Sequence, residues 1–212
     1  VQSLGGTLLA AIHADPSAEI LVVDGGSADG TDALAADFPG VRLLRSPAMR
    51  ARQCNIGAGA ARGSLLLFCH ADTAVTAAGI AEMRRALADS RISGGSFRFA
   101  LADACGRFRV TEWGANWRSR WMRLPFGDQG IFCRAADFAA VGGFPAIPLM
   151  DDVTLIRRLK GRGRFVVLRT PAYTSARRIA RHGVVKSGLR NWGLLLAYRL
   201  GVAPERLARW YD

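Results

Sequence analysis

Four aspartates lie where the sequence predicts strand ends or the start of a helix. Asp24 and Asp72 each follow a run of apolar residues, while Asp151 and Asp152 are adjacent at a predicted helix start. In an open α/β sheet, ligands bind at the carboxyl ends of the strands. Because such carboxylates can converge over one sheet edge even when they are far apart in sequence, the pattern predicts a single site.

The four carboxylates suit two kinds of chemistry. A divalent cation takes oxygen ligands and commonly bridges a protein carboxylate to substrate phosphates, a role that Asp72 fits. His70 adds an imidazole close by, which favours manganese over calcium. A general base needs a separate carboxylate, because it must face the acceptor rather than the metal. Asp151 and Asp152 fit that second role, since the helix macrodipole favours the ionised form.

Helix capping is the competing interpretation of the same residues. Asp72 could cap a helix that follows it, because Asp and Thr are both good N-caps. Of Asp151 and Asp152, one can cap the helix while the other faces the cleft. On the stretch around Asp72 alone, the catalytic and capping interpretations are evenly balanced.

Strands and helices alternate through the first half of the chain, with short connections between them. This alternation predicts stacked βαβ units, and therefore an α/β fold with a mostly parallel, Rossmann-like sheet flanked by helices. The run Leu65–Phe68 is apolar throughout, which indicates a strand buried on both faces. The predicted strands are Glu19–Asp24, Val41–Arg45 and Ser64–Cys69, and the predicted helices are Leu4–Ile12, Asp32–Phe38, Met49–Ala61 and Thr76–Ala88.

The second half of the chain has a different pattern. Residues Gly94–Leu101 alternate with the two-residue period of a half-buried strand, and Phe165–Leu168 form a final strand. Trp113, Trp117 and Trp121 are spaced four apart, which puts them on one face of a predicted helix. From Gly183 the chain shows amphipathic helices. We therefore expect a domain over residues 1–182 and a helical extension over residues 183–212.

Charge is concentrated in the last third of the chain. The formal net charge is +12, and residues 151–212 hold 14 of the 29 Lys and Arg but 4 of the 17 Asp and Glu. Such a basic region suits nucleic acid, an anionic membrane face or a phosphorylated substrate. Half of the residues are hydrophobic, which predicts a folded core, and no run of about 20 apolar residues predicts a spanning helix.

Several motifs together resemble the family 2 glycosyltransferases. The segment from Val23 to Thr31 is similar to the family's V-D-D-G-S-x-D-G-T motif, His70-Ala71-Asp72 stands at its D-x-D metal motif, and Met150-Asp151-Asp152 stands at its E-D catalytic pair. More narrowly, the chain resembles the bacterial selenodomain-associated or arsenosugar-biosynthesis glycosyltransferases. That narrower resemblance rests on Arg50-Ala51-Arg52-Gln53-Cys54-Asn55, His70-Ala71-Asp72-Thr73, Gly127-Asp128-Gln129-Gly130 and Ser175-Ala176-Arg177-Arg178.

The resemblance implies a GT-A fold and an inverting transfer from a nucleotide-diphosphate sugar, UDP- or GDP-linked, to an acceptor hydroxyl. It implies Asp152 as the base, and Asp72 with His70 on a divalent metal, Mn²⁺ or Mg²⁺. Gly127, Asp128, Gln129 and Asp151 would line the acceptor side. The implied donor-binding residues are Asp24, Gly26, Ser27, Arg50, Gln53, Asn55, Ala71, Arg177 and Arg178.

The sequence departs from the family pattern in three places. His70 replaces the first carboxylate of the metal motif, and Gly25 replaces the second aspartate of V-D-D. Family members begin with a strand and a P-x-x-N-E-like loop, and we expect that first strand to be missing from the start of this domain. The Q-x-x-R-W motif of processive synthases is absent from the sequence, which favours a non-processive enzyme.

Two other functions remain open at this stage. A sugar-phosphate nucleotidyltransferase shares this kind of fold, although the Asp151–Asp152 pair favours sugar transfer. A non-enzymatic protein that binds an anionic surface, either membrane or nucleic acid, would use the basic last third. For the transferase we expect a cytoplasmic protein that binds no nucleic acid, with peripheral membrane contact and a homodimer as further expectations.

Overall fold

The computed structural model describes residues 2–102, 127–175 and 184–211, together with Glu112, Gly114 and Asn116. The first half of the chain runs α1 (Gln2–Ala14), β1 (Ile20–Asp24), α2 (Thr31–Ala36), β2 (Val41–Arg45), α3 (Arg50–Ala60), β3 (Leu65–Phe68), β4 (Thr73–Val75) and α4 (Ala77–Ala88). The second half runs β5 (Ile92–Leu101), a 3₁₀ turn (Gly127–Gln129), β6 (Ile131–Arg134), α5 (Ala135–Ala140), α6 (Asp151–Lys160), β7 (Arg164–Thr174), α7 (Val184–Arg199) and α8 (Pro204–Tyr211). The α/β class and the helical C-terminal region are thus confirmed.

The described strands form two sheets. One holds β1 and β2, which are parallel, and the other has the order β3-β6-β5-β7-β4. Within the larger sheet β5 and β7 are parallel, whereas β6 runs antiparallel to both β3 and β5, and β4 runs antiparallel to β7. The larger sheet is therefore mixed, and the prediction of a mostly parallel sheet is wrong for it. The alternation breaks after β3, because β4 follows it without a helix between the two strands.

Helices cover both faces of the larger sheet. On one face, Met83 and Leu87 of α4 pack with Phe97 and Phe132; on the other, α6 packs with Ile131, Cys133 and Phe165. Strand β5 is consequently buried along nearly its whole length, so the prediction of a half-buried strand is wrong. Gly95 reflects this crowding, because a Cβ there would lie 2.4 Å from the Phe132 ring.

The C-terminal helices pack on the same core. Leu194 and Leu195 of α7 and Leu207 of α8 are buried in one cluster with Leu155 and Ile156 of α6. Trp113, Trp117 and Trp121 lie outside the described residues. Over the part of the chain that the structure describes, no helix is long and apolar enough to cross a membrane.

Candidate active site

Arg50, at the start of α3, contacts both the predicted acidic pair, Asp151 and Asp152, and His70 of the predicted metal motif. Its Nε lies 3.2 Å from Asp151 Oδ2 and its Nη2 lies 2.8 Å from Asp151 Oδ1, which is a bidentate ion pair. The same Nη2 is 3.5 Å from Asp152 Oδ2, and Nη1 is 2.9 Å from His70 Nε2. One guanidinium therefore joins the start of α6 to the loop that follows β3.

The electrostatics of this cluster follow from burial. Asp151 and Asp152 are 5% and 8% exposed. Burial raises the pKa of Asp151, against the opposing effect of Arg50. Burial acts to lower the pKa of Arg50, but the carboxylates of Asp152 and Asp151 outweigh it and the pKa rises. The guanidinium is thus fixed in its charged form between two carboxylates.

The backbone before the acidic pair is strained. Met150 has φ 65°, and it is the one described non-glycine residue with positive φ. A non-glycine residue holds such a conformation only where its surroundings demand it. The Met150 side chain is buried in the core, which anchors this turn and sets the direction in which α6 begins. Asp152 Oδ1 accepts a 2.7 Å bond from the Val153 N–H.

Asp24 occupies a self-contained turn at the end of β1. Its carboxylate accepts hydrogen bonds from the N–H groups of Gly26 (2.8 Å) and Ser27 (3.0 and 3.2 Å). Hydrogen bonds from Ser27 and Gly26 hold the pKa of Asp24 below its ordinary value. A Cβ at Gly25 would lie 3.1 Å from Gln53 Nε2 and 3.3 Å from Ala48 Cα, so the turn is tightly packed at this glycine. Gly26 and Ser27 are exposed at the tip of this turn.

Two of the predicted donor-binding residues on α3, Gln53 and Asn55, form hydrogen bonds with backbone groups. Gln53 Nε2 donates to the Val23 carbonyl at 2.8 Å. Asn55 donates from Nδ2 to the Phe144 carbonyl and accepts from the Phe144 N–H, both at 2.9 Å. The structure therefore places Asn55 against the loop before α6 rather than with Arg50 and His70. Its role in donor binding stays a prediction.

The loop that carries Asp72 is followed by strand β4 and not by a helix. The helix after it, α4, is capped by Thr76, whose hydroxyl accepts from the Gly79 N–H at 3.2 Å. The capping interpretation of Asp72 is therefore wrong. The Ala71 carbonyl accepts from the Thr7 hydroxyl at 2.9 Å, and the Asp72 carbonyl accepts from the Ser175 N–H at 3.2 Å. These contacts fix the loop between α1 and the end of β7.

The predicted acceptor residues lie next to this loop. The Thr174 hydroxyl donates to the Asp128 carbonyl at 2.8 Å, and it lies 2.9 Å from the Thr73 hydroxyl. Gln129 is fully buried. The Gly127–Gln129 turn is thus joined through Thr174 to the first residue after Asp72. Arg177 and Arg178 lie outside the described residues, so the structure says nothing of their predicted contact with diphosphate.

Of the two predicted metal ligands, Asp72 suits a divalent metal and the Nε2 atom of His70 does not. No group of three or more His, Cys, Asp or Glu side chains that could hold a metal ion occurs among the residues that the structure describes. His70 Nε2 faces the Arg50 guanidinium, which only donates, so this nitrogen is the acceptor and is not directed at a second cation. Asp72 remains a suitable ligand, because a divalent metal can be held by one or two carboxylates plus substrate phosphates.

Sequence reasoning missed two residues of this site. Phe144 lies under Arg50, with its ring centroid 5.9 Å from Arg50 Cζ, and its backbone is held by Asn55. Met150 supplies the strained turn before the acidic pair. For Phe144 the sequence predicts only a loop at Gly142-Gly143-Phe144-Pro145, and Met150 enters only as the residue before the acidic pair. The pairing of Arg50 with Asp151 was also missed, because 101 positions separate them.

Comparison with known proteins identifies the family. The model of glycosyl transferase family 2 matches residues 2–138, which is more than half of the chain. The chain belongs to glycosyl transferase family 2. No curated protein matches the sequence. The narrower selenodomain-associated subgroup stays a prediction.

Solved structures with the same fold include a mannosyltransferase from Pyrobaculum calidifontis and TarS from S. aureus. A mannosyltransferase from Pyrobaculum calidifontis, in complex with GDP-Man and Mn²⁺, is 18% identical with a TM-score of 0.67, and the match covers 98% of this chain and 64% of that one. Residues 1–349 of S. aureus TarS, in complex with UDP-GlcNAc, are 13% identical with a TM-score of 0.63, over 82% of this chain and 55% of that one. These matches confirm the expected GT-A-type fold. The chain spans less than two thirds of the length of either protein.

Proposed function

We propose that this chain carries the donor site and the general base of an inverting, non-processive glycosyltransferase. In this reaction a sugar moves from a nucleotide-diphosphate sugar to an acceptor hydroxyl. The observation that carries the proposal is the Arg50 cluster, because it links the Asp151–Asp152 pair to His70 beside the Asp72 loop. Family 2 membership and the nucleotide-sugar complexes of the similar structures support it.

We assign the base to Asp152 and a positioning role to Asp151. Asp151 is committed to Arg50 through both of its oxygens, whereas Asp152 Oδ2 is 3.5 Å from Arg50 Nη2, beyond good hydrogen-bond distance. Asp152 would take the proton from the acceptor hydroxyl as its oxygen attacks the anomeric carbon. The bond from that carbon to the diphosphate breaks on the opposite face, the nucleoside diphosphate leaves with the electron pair, and the centre inverts.

The donor side of the proposal rests on the ends of β1 and β3. The exposed turn at Gly26 and Ser27 would meet the nucleoside, and the Asp72 loop would meet the diphosphate. Asp72 would hold Mn²⁺ or Mg²⁺, which when bound offsets the negative charge of the leaving diphosphate. His70 would keep its contact with Arg50 and orient that guanidinium toward the acidic pair.

Product analysis tests the proposed reaction. The protein is incubated with UDP- and GDP-sugars, with and without Mn²⁺, and water serves as the acceptor in the first instance. We expect slow release of nucleoside diphosphate, and proton NMR should show that the first-formed sugar has the anomeric configuration opposite to the donor's. Retained configuration would refute the single displacement, and pyrophosphate formation from sugar phosphate and nucleoside triphosphate would identify a nucleotidyltransferase.

As part of this proposal, we infer peripheral contact with an anionic membrane through the outer surface of α7, the turn after it and α8. Trp192, Leu196, Leu200 and Trp210 are 39%, 60%, 77% and 55% exposed. Exposed Arg199 is the last residue of α7, and its positive charge complements anionic headgroups. Co-sedimentation with vesicles of phosphatidylglycerol should exceed that with phosphatidylcholine vesicles, and Leu196→Ser with Leu200→Ser should remove the difference. Equal sedimentation with both vesicles would refute this contact.

A further inference from the structure

A chain of hydroxyl groups connects α7 to the turn before the acidic pair. The Tyr198 hydroxyl of α7 lies 2.6 Å from the Thr154 hydroxyl of α6. The Thr154 hydroxyl in turn donates to the Met150 carbonyl at 2.9 Å. Thr154 is buried, so its hydroxyl lies where an unpaired polar group would be destabilising. The chain therefore joins the C-terminal helices to the residue that precedes Asp151.

The direction of these hydrogen bonds follows from the number of protons. A threonine hydroxyl carries one proton, and Thr154 uses it in the bond to Met150. The Thr154 oxygen is consequently the acceptor of the 2.6 Å contact, and the Tyr198 hydroxyl is its donor. The Met150 carbonyl also accepts from the Thr154 N–H at 3.0 Å. Two bonds, one of them supported by Tyr198, thus hold the orientation of this carbonyl.

The conformation of Met150 requires such support. This residue stands immediately before α6 with φ 65° and ψ 18°, in the left-handed region. A non-glycine residue persists there only where its surroundings over-determine its conformation. The core holds the buried Met150 side chain, and the hydroxyl chain holds its carbonyl. Since that carbonyl belongs to the peptide group shared with Asp151, its orientation sets the direction in which the acidic pair leaves the turn.

Apolar packing places Tyr198 where its hydroxyl reaches Thr154. Leu194 of α7 is buried in one cluster with Leu155 and Ile156 of α6, and Tyr198 packs against that cluster. Tyr198 follows Leu194 by four residues, so the two side chains are neighbours on one face of α7. The position of the ring is thus fixed by apolar contacts, and removal of the hydroxyl alone leaves those contacts in place.

We propose that Tyr198 is a positioning residue for Asp152, the base assigned above. The inference rests on the proposed function, because it gives Tyr198 a role in the same reaction. Through Thr154, the Tyr198 hydroxyl holds the Met150 turn so that the first turn of α6 presents Asp152 to the acceptor. Because Tyr198 acts through Thr154 rather than on the substrate, its loss should lower turnover and leave donor binding unchanged.

Amide hydrogen exchange tests the structural part of the proposal without nucleotide. Tyr198→Phe removes the hydroxyl and keeps the ring, and Tyr173→Phe is the control, because Tyr173 is exposed on β7. We expect the Thr154 amide, which donates to the Met150 carbonyl, to exchange about fivefold faster in Tyr198→Phe, relative to the Leu159 amide of the same helix. Tyr173→Phe should leave this ratio unchanged. An unchanged ratio in Tyr198→Phe would overturn the proposal.

Turnover tests the catalytic part of the proposal. The wild-type protein and its variants are assayed with a panel of UDP- and GDP-sugars and Mn²⁺, with water as the acceptor, at a temperature where all of them are folded. We expect Tyr198→Phe and Thr154→Val to lower kcat about tenfold, since a small displacement of the base slows the reaction, with the KM for the donor unchanged. Thr154→Ser keeps the hydroxyl and should lose much less turnover than Thr154→Val. A merely structural role would lower the melting temperature of Tyr198→Phe without lowering kcat, a result that would overturn the proposal.

A double variant shows whether the two hydroxyls act as one chain. Thr154→Val already breaks the path from Tyr198 to Met150, so the addition of Tyr198→Phe should cause little further loss of kcat. Losses that multiply would show that the two hydroxyls act independently, which would overturn the proposal. A wild-type protein that cleaves no donor would refute the proposed function and this role with it. An active wild type with an equally active Tyr198→Phe would overturn the positioning role alone.

Discussion

Asp24 and Asp151 are both buried carboxylates of the candidate active site, yet their surroundings shift their pKa values in opposite directions. Asp24 accepts N–H bonds from residues two and three positions ahead, and these bonds lower its pKa. Asp151 is held by a guanidinium 101 positions away, and burial raises its pKa despite that partner. The first site is built within one turn, and the second exists only after α3 and α6 have come together.

This difference agrees with the two different roles proposed above. The pKa of Asp24 is lowered mainly by hydrogen bonds within its own turn and only to a small extent by the charge of Arg45, which suits a surface that binds a nucleotide. The acidic pair is a buried charge cluster whose state depends on Arg50, which suits a base that must gain and lose a proton. The following predictions test this division, from the largest expected effect to the smallest.

Removal of the proposed base should have the largest effect. We expect Asp152→Asn to lower turnover by about 10³-fold, within the range that general bases contribute. Donor affinity should change little, because the base faces the acceptor. Steady-state kinetics and nucleotide titration measure the two quantities. Asp37→Asn, at an exposed carboxylate, is the control, and an Asp152→Asn enzyme with wild-type turnover would refute the assignment.

Removal of Arg50 should destabilise the folded protein. Arg50→Met leaves the buried Asp151 and Asp152 without their shared cation, and we expect a loss of about 3 kcal/mol in the free energy of unfolding. Urea titration measures it. The matched control is Arg52→Met, because Arg52 is exposed on the same helix. Equal stabilities of the two variants would show that the cluster contributes nothing to the fold.

Loss of the Asn55 contact should have a moderate effect on stability. Asn55→Ala leaves both the N–H and the carbonyl of Phe144 without their partner, and we expect a cost of about 2 kcal/mol. Asn55→Asp should lose at least as much, because a carboxylate oxygen replaces the amide donor and then faces the Phe144 carbonyl oxygen. If Asn55→Ala instead abolished nucleotide binding with no loss of stability, the predicted donor role of Asn55 would be restored.

The two carboxylates should give pH dependences of opposite sign. The lowered pKa of Asp24 means that its stabilisation is present above its ordinary pKa of 3.8 and is lost as the pH falls through the folded-state value. The raised pKa of Asp151 means that the folded protein takes up a proton first, so its contribution becomes more favourable as the pH falls from neutral toward 3.8. The wild-type protein, Asp24→Asn and Asp151→Asn are compared by urea titration from neutral pH to well below pH 3.8, because the Asp151 contribution changes above that value and the Asp24 contribution changes below it. If the difference in unfolding free energy between wild type and variant changed with pH in the same direction for Asp24→Asn and Asp151→Asn, the contrast between the two carboxylates would be wrong.

The same contrast explains what the sequence could predict. Asp24, Gly26 and Ser27 interact within four residues, so their motif was visible as written, and hydrophobic periodicity placed β1, β2 and α3 correctly. The Arg50–Asp151 pair depends on the packing of distant elements, and no local pattern encodes it. The mixed sheet was also missed, because antiparallel β4 and β6 are short and their apolar residues look like those of any buried strand. The positive φ of Met150 was also missed, because methionine rarely adopts this conformation.

The measurement that most directly tests the division of the site is a calorimetric titration of UDP and GDP with Mn²⁺ into wild-type, Asp72→Ala and Asp152→Asn proteins. We expect one nucleotide to bind in a manganese-dependent manner, with affinity reduced about 10-fold or more in Asp72→Ala and unchanged in Asp152→Asn. That result would place the diphosphate at the end of β3 and leave the acidic pair to the acceptor. Equal loss of nucleotide affinity in both variants, or wild-type affinity in Asp72→Ala, would contradict the proposed division between a donor site at Asp72 and an acceptor side at Asp152.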